Sequence, residues 1–272
     1  MNDATTAPPS PAANQEDTST WLPLDGLEPG FDEYKQTPTD ALAGTVLEVA
    51  FTDGKVLRYD FTGGDTVQWS SGDQQHTDTY ETLLVDDGLY LVNIHHQHDP
   101  SVATAVVVDV ERGHVLHVAS VVGPLDQRPT VVTQDFRVGT LTGVQPVGDP
   151  PAPSNDLIGR RMLWEYSKVH AYEHVYVSPQ WYTFQCLAGP EAGLADTDAA
   201  TYYKVRKGIY VFAWREKVIP CAAVTVADHR EFRAHGMLFG LNGDNSTTEH
   251  FTFGAHGRLL SNTVYPDRYD IR

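Results

Sequence analysis

The sequence predicts an all-β protein made of two tandem antiparallel β-barrels that arose by internal duplication. Two observations predict the strands. Short runs rich in Val, Tyr, Phe and Thr alternate with turn signals such as Asp87-Gly88 and Lys207-Gly208. No segment keeps apolar residues at i, i+3, i+4 and i+7 over several turns, as a packed helix would. Closing such a meander into an up-and-down barrel removes its exposed edges, which favours barrels.

The third observation is that the two halves of the chain resemble each other. Gly88-Leu89-Tyr90 matches Gly208-Ile209-Tyr210, and Asp109 in AVVVDVERGHV matches Asp228 in AVTVADHREF. The distance between matching residues drifts by only a few positions, as loop insertions would produce. This pattern indicates a duplication.

In chain order, the composition predicts four segments. Residues 1–20 are Pro, Ala, Ser, Thr and acidic residues, too poor in apolar groups to fold, and we expect a disordered tail. Residues 21–145 form the first barrel. Residues 146–156 are a linker, because the prolines of QPVGDPPAPSND prevent ladder pairing and stiffen the chain. Residues 157–272 form the second barrel.

The charge balance restricts the partners of the protein. Lys and Arg total 19 against 36 Asp and Glu, which gives a formal net charge of -17. Nucleic acids and anionic membranes require clustered basic residues, so we expect neither as a partner, with a homodimer left open. The first residues have no basic and apolar leader, which predicts a cytoplasmic protein in which Cys186 and Cys221 are free thiols.

The strands of the second half carry large aromatic side chains on one face. Successive side chains of a strand point to opposite sides, so residues two apart share a face. If these faces point inward, the second barrel encloses a cavity that suits a flat or aromatic small molecule. The residues predicted to contact that molecule are Trp164, Tyr172, Phe184, Tyr210, Phe212 and Trp214.

Three consecutive charges follow one of these strands in the stretch GIYVFAWREKVIPCAAVTVAD. Glu216 falls on the aromatic face, whereas Arg215 and Lys217 fall on the other. A carboxyl group beside Trp214 would be desolvated and its pKa raised, as a general acid or base requires. The alternative is that the strand ends at Trp214 and all three charges point into solvent.

Two further residues complete the predicted catalytic set. His174 shares a face with Tyr172 and is either a proton shuttle or a core histidine bonded to a carbonyl or a hydroxyl group. Tyr182 is a candidate hydroxyl donor. Arg215 would anchor a substrate carboxylate if the assignment of faces were wrong by one residue.

The matching place in the first half is the histidine-rich stretch NIHHQHDP. His96 and His98 share a face, and two histidines at i and i+2 on a strand can bind one metal ion. No third ligand is evident from the sequence, although His76, His114 and His117 are available. We therefore expect a polar loop, no metal site and no cofactor. Asp196 and Asp198 in ADTD are interpreted as a loop or a helix start.

Several longer stretches carry a family resemblance. The stretch YEHVYVSPQWYTFQCLAGPEAGLADTDAATYYKV, followed by GIYVFAWREKVIP, resembles the C-terminal domain of the MoaF family. LAGTVLEVAFTDG and VVVDVERGHV resemble that family's N-terminal domain. The resemblance covers roughly residues 20 to 265 and implies two lipocalin-like (calycin) barrels. It supplies no catalytic set, and the His95-His96-His98 cluster is not part of the pattern.

These observations predict an enzyme of a specialised pathway that needs no redox cofactor. It would act on a small hydrophobic or aromatic metabolite as a cyclase, isomerase or lyase, with Glu216 and His174 as the acid and base. A non-catalytic small-molecule carrier with the same cavity is the alternative. A third hypothesis, a structural or partner-binding protein, predicts barrels filled by their own side chains.

Overall fold

The computed structural model describes residue 18, residues 20–266 and residue 268. Within that part of the chain it contains one short helix and seventeen strands. The predicted tail, residues 1–20, lies outside the described residues except for residues 18 and 20. The helix is α1 (Leu24–Leu27).

The first barrel is a closed meander of eight antiparallel strands. Each strand pairs with the next one in the chain, and β1 closes the barrel by pairing with β8. The strands are β1 (Val46–Phe51), β2 (Val56–Phe61), β3 (Thr66–Ser71), β4 (Gln74–Asp86), β5 (Leu89–His95), β6 (Val102–Asp109), β7 (His114–Val122) and β8 (Val132–Leu141).

The second barrel repeats this topology after a two-residue strand, β9 (Ala152–Pro153), which pairs with Tyr203 and Lys204. Eight strands again pair in chain order, and the first pairs with the last, which confirms the predicted fold of two tandem antiparallel barrels. The strands are β10 (Arg160–Glu165), β11 (Ala171–Ser178), β12 (Trp181–Ala188), β13 (Ala195–Arg206), β14 (Ile209–Arg215), β15 (Cys221–Asp228), β16 (Arg233–Leu241) and β17 (Thr248–Asn262).

The two barrels match strand by strand. Leu89 pairs with Asp109 where β5 meets β6, and Ile209 pairs with Asp228 where β14 meets β15. The residues that match in the sequence therefore occupy the same register in both ladders. This equivalence assigns each side chain of one barrel a counterpart in the other.

The barrels pack directly against each other through the outer faces of their central strands. Strands β5 to β7 and β14 to β16 are buried on nearly every residue, because one face lines a barrel and the other lies in the interface. This explains why their sequences are continuous apolar runs rather than alternating ones. Leu91, Val107, Leu116, Val211 and Val224 belong to this shared core.

The segment that precedes the first barrel in the chain covers the second barrel. The Phe31 ring lies 4.8 Å from the Tyr166 ring and 6.1 Å from the Phe251 ring, and Trp21 meets Phe184 edge-on. The backbone N–H of Tyr34 donates to the carbonyl of Tyr166 at 3.3 Å. Residues 21–31, called the cap below, therefore close one end of the second barrel.

Cys186 and Cys221 are both free, as predicted, and both are buried. Among the described residues, no helix has the length and apolarity needed to cross a bilayer.

Candidate functional site

The interior of the second barrel is lined by aromatic rings from six of its strands, which contribute to one buried cluster. Trp164 lies flat against β17 because Gly257 faces it, and a Cβ atom there would come within 2.4 Å of the indole ring. Phe212 packs against Trp214, with ring centroids 5.1 Å apart, and against Tyr182 at 4.9 Å. The rings therefore fill most of the barrel.

Between the rings and the cap lies a cavity of about 40 Å³. This volume holds a water molecule or two, whereas ligand pockets usually measure roughly 300–1,000 Å³. Three of its walls, Trp21, Leu27 and Phe31, belong to the cap. The other lining residues belong to the barrel and are Tyr166, Tyr172, His174, Tyr182, Phe184, Glu191, Trp214, Glu216 and Leu238.

Glu216 follows the last residue of β14 and lines this cavity rather than pointing into solvent. Its backbone N–H donates to the carbonyl of Cys221 at 3.0 Å, which continues the ladder by one residue. Its Oε1 accepts a hydrogen bond from the indole N–H of Trp214 at 3.2 Å. Burial, together with the nearby Asp198 carboxyl, raises the pKa of Glu216 well above its usual value. These surroundings therefore favour the protonated form of Glu216.

Asp198 is the group that sequence reasoning missed. Ala199 pairs with Arg215, so Asp198 and Glu216 are the next facing positions of the same ladder. Asp198 is buried, and its Oδ1 accepts the backbone N–H of Lys217 at 3.2 Å. Burial and then the charge of Asp196 raise the pKa of Asp198 to about 7. Glu216 and Asp198 therefore form a buried carboxyl pair, and no ion pair to either is present among the described residues.

This pair predicts a distinctive pH dependence of stability for Asp198→Asn. Because the pKa of Asp198 is higher in the folded state than in the unfolded state, the contribution of Asp198 to wild-type stability falls as pH rises from about 4 to about 7. The variant lacks this loss, so its gain over wild type should grow by about 3–4 kcal/mol across that range. Urea unfolding at several pH values measures it.

The matched control for this experiment is Asp126→Asn, which changes an exposed carboxylate. Its stability relative to wild type should not change with pH. A difference between Asp198→Asn and wild type that is independent of pH would contradict the assignment of a raised pKa to Asp198.

His174 lies at the centre of the ring cluster. Its imidazole is 5.4 Å from the Tyr182 ring and 5.7 Å from the Trp214 ring. Burial lowers the pKa of His174 to about 3, so the ring is neutral near pH 7. Its Nδ1 has no hydrogen-bond partner within the described part of the chain. His174 and Glu216 line one cavity, but the group that acts on the pKa of Glu216 is Asp198.

Tyr182 and Glu191 supply the remaining polar groups of the cavity. Burial raises the pKa of Tyr182 well above its usual value, so its hydroxyl group stays protonated. Glu191, which sequence reasoning also missed, accepts the backbone N–H of Leu22 at 3.0 Å and the hydroxyl of Tyr172 at 3.1 Å. Burial raises the pKa of Glu191 too. Glu191 thus links the cap to the barrel wall.

The predicted wall residues divide between two places. Tyr172, Phe184 and Trp214 line the cavity, whereas Trp164 and Phe212 line a smaller void of about 10 Å³ deeper in the barrel. Tyr210 lies at the far end of the barrel, where its hydroxyl donates to Asp156 at 3.0 Å. The structure therefore does not bring Tyr210 to the cavity.

Arg215 is placed away from the cavity by strand alternation. Its guanidinium donates to Gln134 Oε1 and to Thr201 Oγ1, both at 3.0 Å, on the outer face of the second barrel. Gln134 belongs to the first barrel, so Arg215 helps to join the two units. The hypothesis that it anchors a substrate carboxylate inside the barrel is wrong, because the assignment of faces is not displaced by one residue.

An open cleft of about 530 Å³ lies between the barrels. Its walls are mostly charged or polar, and Lys35 bridges it by donating to Glu81 and Thr252 at 2.9 and 3.0 Å. None of the residues predicted from the sequence to form a site lines it. The enclosed cavity of the second barrel is far smaller, but it contains the groups whose pKa values are strongly shifted. It is therefore the better candidate for a functional site.

The histidine-rich stretch of the first barrel lies at the place that corresponds to the carboxyl pair of the second barrel. His96 is buried beside Asp78, and His98 is exposed on the loop that follows. These residues lie in the other barrel and take no part in the cavity described above.

Comparisons with known proteins give two domain matches and one curated relative. Residues 19–123 match the MoaF N-terminal domain, and residues 151–263 match the MoaF C-terminal domain. Protein MoaF of Klebsiella aerogenes is 38% identical over 121 residues, which are 44% of this chain and 46% of that protein. The alignment thus spans less than half the length of the relative.

Among solved structures, a chain from Burkholderia vietnamiensis described as a "putative beta-lactamase" is similar over 40% of this chain and 100% of its own length. Its sequence identity is 13% and its TM-score is 0.34. A likeness of this size carries no functional argument.

Proposed function

The chain belongs to the MoaF family, which its two domain matches show, and on that premise we propose that its second barrel binds a small hydrophobic or aromatic metabolite and transforms it by acid–base chemistry. The observation that carries the proposal is the carboxyl pair of Glu216 and Asp198 inside an aromatic barrel. Burying carboxyl groups without a basic side chain as ion-pair partner destabilises a fold, so their placement favours a functional role.

The cap controls access to the cavity. The cavity is too small for a metabolite while Trp21 and Phe31 occupy its mouth. The cap contains a helix of only four residues, and polar contacts such as Leu22 to Glu191 and Gly243 to Asp25 hold it. Binding therefore requires the cap to move outward and the ligand to take the space of its apolar side chains.

The chemistry follows from the protonation states. Glu216 carries a proton and donates it to a carbonyl oxygen or a double bond of the substrate. Neutral His174 has an unbonded Nδ1 that removes a proton from a neighbouring carbon. One proton enters the substrate and one leaves, so an isomerisation or cyclisation needs no further reactant, and return of the proton from His174 to Glu216 restores both groups for the next turnover.

Other residues tune this reaction. The face of Trp214, which lines the cavity, stabilises positive charge that develops on the substrate. Asp198 acts through Glu216, because a second carboxyl group nearby keeps the proton on Glu216. The hydroxyl group of Tyr182 donates a hydrogen bond to the substrate.

Glu216→Gln tests the proposal. The full-length protein is screened against phenolic, aromatic-amine and polyene compounds by quenching of tryptophan fluorescence, and each hit is followed for turnover. We expect the variant to bind hits within about threefold of wild type and to lose turnover by 100-fold or more, because it keeps its shape and loses the transferable proton.

Two further variants complete the experiment. Glu165→Gln changes an exposed carboxylate at the end of strand β10 and should leave turnover unchanged. Trp214→Ala should reduce quenching, because it removes one of the two tryptophans that line the cavity. Quenching equal to that of wild type in Trp214→Ala, or turnover that survives in Glu216→Gln, would overturn the proposed site.

A non-catalytic carrier remains the second candidate, and the closed cap is the observation that favours it. A cap packed through Phe31 against Tyr166 and Phe253 must open for each exchange of ligand, which suits retention better than rapid turnover. Binding that depends on Trp214, without conversion of any ligand by wild type, would identify the carrier.

A further inference from the structure

A group of metal-ligating side chains gathers inside the first barrel, at the end where β5 turns into β6. Asp78 comes from β4, and His96 and His98 follow β5. Nδ1 of His96 lies 2.7 Å from Oδ2 of Asp78, and Nδ1 of His98 lies 3.7 Å from the same oxygen. One donor atom from each of the three residues lies within 4.8 Å of the other two.

The two inner ligands are held in place by further hydrogen bonds. The indole N–H of Trp69 donates to Asp78 Oδ2 at 2.6 Å, and the backbone N–H of Gln97 donates to Oδ1 at 2.8 Å. These contacts fix the carboxylate, whose side chain is fully buried. Nε2 of His96 lies 2.9 Å from the hydroxyl oxygen of Thr104.

This arrangement is typical of metal sites in proteins. A ligating histidine usually binds the metal through one nitrogen while its other nitrogen is fixed by a hydrogen bond, as Thr104 fixes His96. His98 is stacked on His76 with ring centroids 3.6 Å apart, which sets the plane of its ring. Its side chain is about one-third exposed, so an ion can reach the cluster from solvent.

We propose that Asp78, His96 and His98 bind one divalent transition-metal ion of the class of Zn²⁺ or Co²⁺. Two imidazole nitrogens and one carboxylate oxygen suit these ions better than Ca²⁺ or Mg²⁺, which prefer oxygen ligands. Three protein ligands leave a fourth position for solvent.

Although the two barrels arose by duplication, the proposed metal site is present only in the first of them. Asp198 and Glu216 occupy in the second barrel the ladder positions that Asp78 and His96 occupy in the first. The second barrel therefore has two carboxyl groups and no imidazole at this place. Sequence reasoning found His96 and His98 but missed Asp78, because that ligand lies on a different strand.

The test uses the full-length protein after removal of metals with a chelator. Titration of Zn²⁺ by calorimetry should show one ion per chain, and Co²⁺ should quench the fluorescence of Trp69, whose ring lies 5.3 Å from that of His96. His98→Ala should weaken Zn²⁺ binding by at least about tenfold and abolish quenching by Co²⁺. This residue is exposed, so the variant should fold.

Asp78→Asn should weaken binding similarly, and its fold is checked by circular dichroism. The control is His256→Ala, which removes an exposed histidine of the second barrel and should leave binding unchanged. Absence of stoichiometric Zn²⁺ binding at 100 times the protein concentration, or equal affinity of His98→Ala and wild type, would overturn the proposal. Ligand turnover in the second barrel is a separate measurement.

Discussion

Arg206→Met is expected to lower the free energy of unfolding by about 3–5 kcal/mol, the usual effect of removing one partner from a buried ion pair. Arg206, in the second barrel, donates from Nε and Nη2 to both carboxylate oxygens of Asp109 in the first, at 2.6 and 2.7 Å. Its Nη1 donates to Asp86 at 2.9 Å. The side chains of Arg206 and Asp109 are 6% and 2% exposed.

The large effect arises because the substitution leaves the carboxylate of Asp109 buried. Methionine fills much of the space of the arginine stem, but Asp109 then stays buried without its two short guanidinium hydrogen bonds, and its nearest remaining cation is the half-exposed Arg112 at 3.9 Å. Asp86 keeps a second partner, Arg230, at 3.1 Å, and is less affected. Urea unfolding at pH 7, followed by circular dichroism, measures the change.

Arg58→Met provides the matched control. Arg58 and Asp60 form an exposed pair at 3.3 Å, and such pairs contribute about 0–1 kcal/mol. A loss below 1 kcal/mol for Arg206→Met, equal to that of the control, would show that the ion pair does not hold the barrels together. Replacing both Arg206 and Asp109 by apolar residues should restore part of the stability.

The interface between barrels marks one limit of prediction from sequence. The alternation of strand faces predicted the interior of the second barrel, where Trp164, Tyr176 and Phe212 all point inward. It did not predict that the opposite faces are buried as well. Continuous apolar runs such as AVVVDV are compatible with any strand covered on both sides, and the sequence does not state what covers it.

The cap and the carboxyl pair mark a second limit. Phe31 lies more than 130 positions before Tyr166, and local patterns do not show such contacts. Asp198 was interpreted as part of a loop because ADTD has the composition of a turn, yet it lies within β13. The duplication was the signal that could have identified it, since Asp78 and Asp198 occupy matching positions opposite His96 and Glu216.

These matching positions explain how one duplicated scaffold can have two chemistries. In the first barrel, hydrogen bonds from Trp69 and Gln97 overcome the effect of burial and hold the pKa of Asp78 below its usual value. In the second barrel, Asp198 has one backbone N–H donor, and burial prevails. An ionised carboxylate beside an imidazole suits a cation, whereas a protonated carboxyl pair suits proton transfer.

Acid should unfold the protein cooperatively at about pH 4–5, because four buried histidines and the half-buried His250 are neutral in the folded state. In the unfolded state their pKa values return to about 6.5. A lowered pKa in the folded state means that the unfolded state binds more protons below pH 6.5, so stability falls as pH falls. Burial lowers the pKa to about 3 for His117, His174 and His250 and to about 4 for His229 and His235.

The loss in the free energy of unfolding per pH unit follows from the number of groups that titrate. Each histidine contributes about 1.4 kcal/mol per pH unit between pH 6.5 and its folded pKa, so five contribute about 7 kcal/mol per unit. Asp198 and Glu216 act in the opposite direction, because their raised pKa values make the folded state bind more protons. The net loss is about 4 kcal/mol per unit, which consumes a stability of about 5–15 kcal/mol within a few units.

The His174→Phe variant isolates one member of this set. Phenylalanine fits among the rings of Tyr182, Phe212 and Trp214 and takes up no proton. Relative to wild type, its free energy of unfolding should rise by about 2 kcal/mol between pH 7.5 and pH 5. The exposed His256→Gln control should change less across the same range. A wild-type stability that stays constant from pH 7 to pH 5 would mean that water reaches these imidazoles. The packed interior that lowers the pKa of His174 would then have to open well before the barrel unfolds.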